Sequence, residues 1–178
     1  MIRLFKYHAI VNKRTIKANS RKWLFSFLGS FLGISFVFLT HLFIQKITPF
    51  DTVMIIGSLG ASVVIIFGTP QSPYAMPRHV IGGHVISAIV GVLCYNLFGI
   101  TEYLWFCCAL AVSLSVLLMQ ISRTTHPPGG ATALIAVMGS EKIHALKYFY
   151  VITPVFTGVL VLLSTSAFMH WIKKQIKL

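Results

Sequence analysis

The chain has 178 residues, of which 56% are apolar and only 10% are charged, and its formal net charge is +12. Soluble domains carry roughly 25% charged residues, and disordered chains have low hydrophobicity, so the composition excludes both classes. From the length we expect one compact membrane domain and no second, soluble one.

Basic residues concentrate at the two ends of the chain. Seven of them lie within the first 22 residues, and three more close the chain. Basic segments that flank apolar spans are typical of contact with anionic lipid at the cytoplasmic face. We therefore predict a basic cytoplasmic segment over residues 1–22, a single transmembrane domain over 23–172 and a basic cytoplasmic tail over 173–178. Nucleic acid is not expected as a partner.

Four apolar stretches are long enough to cross a membrane, which takes roughly 20 residues. They are Trp23–Gln45, Val80–Phe98, Tyr103–Ile121 and Tyr148–Met169. Two shorter stretches, Val53–Gly68 and Gly129–Gly139, are predicted as half-length helices. At a rise of ~1.5 Å per residue, the second of these reaches about half way across the bilayer. The sequence therefore predicts an all-α membrane protein with six membrane segments.

The charges predict the orientation of these segments. With the N-terminus inside, 12 of the 15 basic residues lie on the cytoplasmic side, and the positive-inside rule favours this arrangement. The three acids then fall in three different outer loops; they are Asp51, Glu102 and Glu141. No carboxylate is left in a span, which disfavours cation channels and most cation-coupled carriers. We expect both termini to be cytoplasmic and the protein to lie in the inner (plasma) membrane of the cell.

Two triplets predict an internal repeat. Gly60-Ala61-Ser62 aligns with Gly130-Ala131-Thr132, 70 positions later, and each triplet lies in a short segment between two long ones. The chain thus divides into units of about 23–98 and 103–170, and three crossings per unit invert the second unit relative to the first. Inverted repeats with short, interrupted segments mark a midplane site in transporters. Close helix packing by small residues is the alternative explanation for both triplets.

The second triplet belongs to a longer motif, Arg123-Thr124-Thr125-His126-Pro127-Pro128-Gly129-Gly130-Ala131-Thr132-Ala133-Leu134. This motif resembles the signature of the HPP family of integral membrane proteins, which is named after its His-Pro-Pro triplet. The first unit is similar to the family pattern at Gly60-Ala61-Ser62, Pro70-Gln71-Ser72-Pro73, Pro77-Arg78 and Gly82-Gly83-His84. His79 stands where many relatives have Asn. The resemblance covers about residues 24–170, and it implies a small membrane protein and, in photosynthetic members, nitrite transport.

An anion site is predicted where the two triplets meet. Backbone N–H groups at a helix N-terminus attract anions without a mobile charge, and glycine allows an ion to approach the backbone closely. We expect two such helix ends to face each other at the membrane midplane, with hydroxyl donors from Ser62 and Thr132. Packing, or hydrogen bonding to the preceding turn, is the alternative role for these hydroxyls. The candidate pore residues are Gly60, Ala61, Ser62, His84, Gly129, Gly130, Ala131 and Thr132, and Pro127 and Pro128 fit a helix start.

Arginine and histidine residues complete the candidate site. Arg78 and Arg123 flank the inner loops and are predicted to form an electropositive vestibule, or else to extend toward lipid headgroups. His84 and His126 are the groups that would carry a proton if transport is proton-coupled. Packing is the alternative role for His84, and capping of the inner loop is the alternative for His126. His41 is assigned to the outer interface, and the remaining histidines are assigned to the periphery: His8, His79, His144 and His170.

The sequence therefore predicts a homo-oligomeric channel or carrier for a small monovalent anion, with nitrite as the first candidate and without cofactor or metal. The alternative is a membrane assembly or sensory partner that transports nothing. An enzyme is disfavoured because the sequence has no nucleophile–base set, metal-ligand set or cofactor motif. The rank order of nitrite, nitrate, formate and chloride, and the choice between channel and proton-coupled carrier, stay open.

Overall fold

A computed structural model describes residues 20–47, 56–99 and 103–176. These residues form helices and no strands. The α-helices are α1 (Ser20–Ile47), α2 (Ile56–Val63), α3 (Pro77–Phe98), α4 (Leu104–Ile121), α5 (Pro128–Met138), α6 (Glu141–Leu146) and α7 (Thr157–Gln175). A π-helical segment, Val64–Gly68, continues α2, and another, Val151–Phe156, precedes α7. Most of the predicted basic N-terminal segment, Asp51 and Glu102 lie outside the described residues.

Four helices of the described chain are long and apolar enough to cross a membrane: Lys22–Lys46, Pro77–Phe98, Leu104–Ile121 and Val151–Gln175. Two shorter apolar helices, Gly57–Gly68 and Pro128–Met138, lie between them in the sequence. The prediction of four long spans and two short apolar segments is therefore confirmed. The inverted relation between the two halves stays a prediction.

The structure differs from the prediction at the start of α3 and in the predicted outer loop that contains α6. α3 begins at Pro77 rather than Val80, because proline at the first helical position lacks only an N–H that has no partner within the helix. The predicted outer loop Glu141–Lys147 contains the short helix α6. Its first residue is Glu141, whose carboxylate lies in the first turn, where the helix dipole favours negative charge.

The last span is interrupted near its start. The prediction begins it at Tyr148, but Thr153 has an extended backbone (φ −133°, ψ 124°) and Pro154 has no N–H, so regular α-helix begins at Thr157. The Pro154 carbonyl oxygen lies 3.2 Å from Nε2 of His41, which joins α1 to this kink. His41 is fully buried, so its assignment to the outer interface is wrong.

Small residues bring α3 and α5 close together. A Cβ atom added at Gly91 would lie 2.6 Å from the Ala133 carbonyl oxygen of α5. Ser87 and Gly83, one and two turns earlier on the same face of α3, border Gly129 in the same way. Membrane helices pack closely where such residues remove side-chain bulk. α3 thereby holds α5 on one side, and it also packs against α4.

The two ends of the helix bundle differ in charge. Among the described residues, one end, here termed the basic end, carries Lys22, Arg78, Arg123, Lys173 and Lys174, and the other carries Lys46, Glu141, Lys142 and Lys147. Lys22 and Lys173 line one cavity with Gln71, and Arg78 donates a hydrogen bond to the Ser122 carbonyl. The start of α1, the end of α7, the loop before α3 and the segment after α4 therefore lie at the same end of the bundle. This separation agrees with the predicted charge bias.

Candidate functional site

Five polar side chains meet inside the helix bundle, and all are fully buried: Ser58, Ser62, His84, His126 and Thr132. They come from α2, α3, α5 and the segment 122–127 that joins α4 to α5. Burying a polar group without a partner costs about 1–3 kcal/mol in proteins. Each of these five side chains hydrogen-bonds to another member of the group. The group is termed the polar cluster below.

His84 lies at the centre of the polar cluster. Its Nε2 is 2.7 Å from Oγ of Ser62, and its Nδ1 is 2.7 Å from Oγ1 of Thr132. Ser62 and Thr132 are the third residues of the two predicted triplets. The structure therefore brings both motifs onto one imidazole ring. Because both ring nitrogens are engaged, these hydroxyls fix the orientation of the ring.

His126 extends the cluster toward the basic end. Its Nε2 is 2.8 Å from Oγ of Ser62, and its Nδ1 is 2.9 Å from the Tyr74 carbonyl oxygen. The ring centroids of His84 and His126 are 5.0 Å apart. Burial lowers the pKa of His126 to about 4, although the hydrogen bond to Tyr74 raises it and nearby His79 lowers it further. The imidazole of His126 is therefore neutral at physiological pH.

Two glycines of α3 make room for the segment that holds His126. A Cβ atom at Gly82 would lie 2.6 Å from Cβ of Thr124, and one at Gly83 would overlap Cβ of His126. The requirement at both positions is space, since neither glycine has a positive φ. The sequence Gly82-Gly83-His84 therefore admits His126 beside α3 and places His84 next to it.

A reversal at Arg123 directs the segment toward α3. The Thr124 N–H donates to the Met119 carbonyl, and the Arg123 N–H donates to the Gln120 carbonyl. This pair of bonds is the Schellman pattern that ends many helices. Arg123 has φ 55°, in the left-handed region that residues other than glycine rarely adopt. The turn ends α4 and sends the following residues inward.

The backbone amides that were predicted to hold an anion already have partners. The N–H groups of Gly129 and Gly130 donate to carbonyls three residues earlier, at 2.9 and 3.1 Å. Gly60-Ala61-Ser62 lies inside α2, which begins at Ile56, so its N–H groups donate to carbonyls one turn earlier. The expectation of two free helix N-termini at these triplets is therefore wrong. Side chains form the polar surface instead.

The glycines of the candidate site have different surroundings. A Cβ atom at Gly129 would lie 2.8 Å from the Gly83 carbonyl oxygen, so this glycine serves close packing of α5 on α3. A Cβ atom at Gly60 would meet nothing within 4 Å, and one at Gly130 would meet only Val112, at 3.9 Å. The third residue of each triplet is the one whose side chain reaches the polar cluster. Ala61 and Pro127 are exposed, Ala131 is half-buried and Pro128 is buried.

Arg78 and Arg123 lie at the basic end, and both are exposed. They flank the segment 122–127, but neither belongs to the polar cluster. His79 is half-buried, and its Nδ1 lies 2.9 Å from the Thr125 carbonyl oxygen. The peripheral assignment of His79 is therefore wrong, because this side chain helps to hold the segment that carries His126.

Three contributors to the site are not among the residues predicted from the sequence. Oγ of Ser58 is 3.1 Å from Oγ1 of Thr132, and its position one turn before Ser62 on α2 is a signal that sequence reasoning could have used. The Tyr150 hydroxyl donates to the Thr132 carbonyl at 2.9 Å. Tyr74 contributes its backbone carbonyl, which no side-chain pattern reveals.

Comparison with known proteins assigns the chain to a family. The family model described as HPP, transmembrane region, matches residues 15–177. One transmembrane protein of Dictyostelium discoideum is 44% identical over 142 residues, which are 79% of this chain and 49% of that protein. Another from the same organism is 38% identical over 168 residues, which are 93% of this chain and 52% of that protein. The chain spans about half the length of these curated relatives, and no solved structure matches it.

Proposed function

Because the chain belongs to the HPP transmembrane family and has the helices of a multi-pass membrane protein, we propose that it transports a small monovalent anion, with nitrite as the first candidate. Nitrite follows from what the family resemblance implies for photosynthetic members. The names of the two Dictyostelium relatives give no substrate. Transport by a family member of this architecture requires a polar path through an apolar helix bundle.

The polar cluster is the observation that carries the proposal. Polar and ionisable side chains inside a membrane domain are costly, and they mark substrate or ion pathways. Hydroxyl and imidazole N–H groups donate hydrogen bonds to a small anion without adding a fixed negative charge that would repel it. The chain has only three acidic residues. Glu141, the one that the structure describes, lies at the end opposite the basic end.

The basic end supports entry of an anion from one side. Arg78 and Arg123 are exposed beside the segment that carries His126, and a surface potential of one sign raises the local concentration of oppositely charged solutes. We propose that this end faces the cytoplasm of an inner (plasma) membrane, as the positive-inside rule favours. Anionic lipids are proposed as contacts of Lys22 and Lys173, and copies of the chain are proposed to associate in the membrane.

Anion flux into liposomes that hold the purified protein tests the proposal. Nitrite, nitrate, formate and chloride are compared at equal concentrations, with protein-free liposomes as the blank. We expect nitrite uptake well above the blank and above chloride uptake. Nitrite uptake at the level of the blank, through protein that elutes as a single folded species, would contradict the proposed function.

One observation favours a second candidate function. The polar cluster has no exposed surface in this conformation, as expected of a network that fixes helix packing in a membrane assembly or sensory partner. Such a protein would need the cluster for stability alone. It would therefore show blank-level flux for every anion, and His84→Gln would lower its thermal stability without changing any flux.

A further inference from the structure

The polar cluster is one continuous line of hydrogen bonds from the loop before α3 to the inside of α2. In order, it runs from the Tyr74 carbonyl to His126, Ser62, His84, Thr132 and Ser58, with links of 2.9, 2.8, 2.7, 2.7 and 3.1 Å. Oγ of Ser62 also lies 3.3 Å from the Ser58 carbonyl oxygen, farther than from either imidazole. Every side chain between the two ends of the line both donates and accepts hydrogen bonds.

The carbonyl at one end sets the direction of each bond when both imidazoles are neutral. A carbonyl only accepts, so Nδ1 of His126 donates to Tyr74 and Nε2 of His126 has no proton. Nε2 of His126 therefore accepts the single hydroxyl proton of Ser62. The Ser62 oxygen then accepts from Nε2 of His84. That leaves Nδ1 of His84 without a proton, so it accepts from the Thr132 hydroxyl, whose single proton turns to it from Oγ of Ser58.

The opposite direction of hydrogen bonding requires one additional proton in the line, and the contacts allow it. In this second pattern Thr132 donates to Oγ of Ser58, and Nδ1 of His84 donates to Thr132. Ser62 then donates to Nε2 of His84, so Nε2 of His126 donates to Ser62. Nδ1 of His126 still donates to the carbonyl, and His126 is therefore an imidazolium. The two patterns differ by one proton and one positive charge.

We propose that Thr132, His84, Ser62 and His126 form a proton relay, which couples movement of the anion to movement of a proton. A hydronium ion that gives a proton to the Thr132 oxygen, and so becomes water, releases the hydroxyl proton of Thr132 to Nδ1 of His84. The Nε2 proton of His84 passes to Ser62, and the Ser62 proton passes to Nε2 of His126. Only O–H and N–H bonds break and form, and the charge ends on His126. The coupling, though not the relay itself, rests on the proposed anion transport.

The surroundings of the relay give the proton an exit at the basic end. Tyr74, whose carbonyl receives the last hydrogen bond, is 41% exposed. His79, another titratable side chain at that end, is held by the Thr125 carbonyl. At the Thr132 end of the relay, the Tyr150 hydroxyl donates to the Thr132 carbonyl. Neither side chain interrupts the line, so a proton on His126 exchanges with solvent beside Tyr74. Because each transfer in the line is reversible, the proton can travel in the same direction as the anion, from either end.

The relay predicts that nitrite uptake brings protons into the liposome. Nitrite is assayed chemically and protons are followed with an enclosed pH dye, at alkaline pH and against protein-free liposomes, so that passive entry of nitrous acid is subtracted. We expect the wild-type protein to take up protons together with nitrite. Thr132→Val keeps the side-chain shape and removes the hydroxyl, and Ser62→Ala breaks the link between the imidazoles. Both variants should lose the proton uptake, and Thr132→Ser should restore it relative to Thr132→Val.

Ser115→Ala is the matched control, because the Ser115 hydroxyl is equally buried but donates to the Ala111 carbonyl of its own helix, outside the relay. It should keep the proton uptake. Wild-type nitrite uptake without protons, or unchanged proton uptake in both Thr132→Val and Ser62→Ala, would overturn the relay and leave the proposed anion transport intact. Absence of wild-type nitrite uptake would instead overturn the proposed function. Proton uptake driven by an imposed membrane potential would then decide the relay, with loss in Ser62→Ala supporting it and no change overturning it.

Discussion

Ser62 and Thr132 bind opposite nitrogens of the same imidazole, each at 2.7 Å from His84. One hydroxyl comes from α2 and the other from α5, the two short apolar helices of the described chain. The ring of His84 is thus held by the matching residue of each triplet. Helix packing through small residues brings the helices together, while the hydroxyls determine which polar group lies between them.

Gly83→Ala should destabilise the protein and displace His126. The added Cβ would overlap Cβ of His126, and overpacking of this kind costs about 1–3 kcal/mol. Gly130→Ala is the matched control, since its added Cβ would meet only Val112 at 3.9 Å. Thermal unfolding in detergent, monitored by size-exclusion chromatography after heating, should show a lower midpoint for Gly83→Ala alone. Equal midpoints for the two variants would contradict the close approach at Gly83.

Arg123→Gly should raise the thermal stability. Arg123 adopts φ 55°, and the left-handed conformation costs a residue with a side chain roughly 1–2 kcal/mol, a cost that glycine avoids. Arg123→Gln removes the same charge and keeps the unfavourable backbone, so it should show no gain. The difference between their unfolding midpoints isolates the backbone effect. Identical midpoints would argue against a left-handed turn at this position.

Removal of positive charge from Arg78 or Arg123 should slow nitrite entry, and more strongly at low salt than at high salt. Both side chains are exposed at the basic end, and exposed charges are screened over about 8 Å at physiological ionic strength. Initial nitrite flux through Arg78→Gln and Arg123→Gln is measured over a range of salt concentrations. Lys142→Gln, at the opposite end, provides the control. A flux that is equal to wild type at every salt concentration would exclude an electrostatic vestibule.

A cysteine at Glu141 should react with an impermeant thiol reagent from outside intact cells. Glu141 is exposed at the end opposite the basic end, and the charge bias predicts that this end is outside. The probe is placed in a background without Cys94, Cys107 and Cys108. Arg123→Cys in the same background should react only after lysis. The reverse pattern of labelling would contradict the predicted orientation.

The free energy of unfolding should fall as the pH is lowered from about 6.5 toward about 4. Burial lowers the native pKa of His126 to about 4 from 6.5, so in this range the unfolded state binds a proton that the native state does not. One such group contributes about 1.4 kcal/mol per pH unit. This contribution is constant above pH 6.5. Unfolding at several pH values should show a weaker dependence in His126→Asn than in wild type, whereas the exposed His170→Asn should keep the wild-type dependence. Equal dependence in all three proteins would be inconsistent with a buried, neutral His126.

The sequence predicts the helices of this protein well because hydropathy and length decide which segments cross a membrane. It also identifies four members of the polar cluster, Ser62, His84, His126 and Thr132. The two hydroxyls stand at matching positions of the triplets, and the histidines are rare titratable groups in apolar surroundings. Those signals are local in the sequence, so no knowledge of helix packing is needed to find them.

The remaining features depend on how the helices pack. Hydropathy does not show that α2 begins before Gly60, so the amides of that triplet are mistaken for a helix end. Burial of His41 and half-burial of His79 result from contacts with the carbonyls of Pro154 and Thr125, which are distant in the sequence. The role of the Tyr74 carbonyl likewise depends on tertiary structure. Backbone acceptors carry no sequence signature, and the Tyr74 carbonyl at one end of the polar cluster is such an acceptor.

The most direct test of anion passage through the polar cluster is nitrite uptake by liposomes that hold the wild type, His84→Gln or His144→Gln. His144 is a half-buried histidine at the opposite end of the bundle, stacked on Tyr95 at 3.6 Å and hydrogen-bonded to the Val137 carbonyl. Its replacement controls for the general loss of an imidazole. If the polar cluster is the anion path, His84→Gln loses nitrite uptake while remaining folded, and His144→Gln retains it. Full nitrite uptake through folded His84→Gln protein would contradict the account.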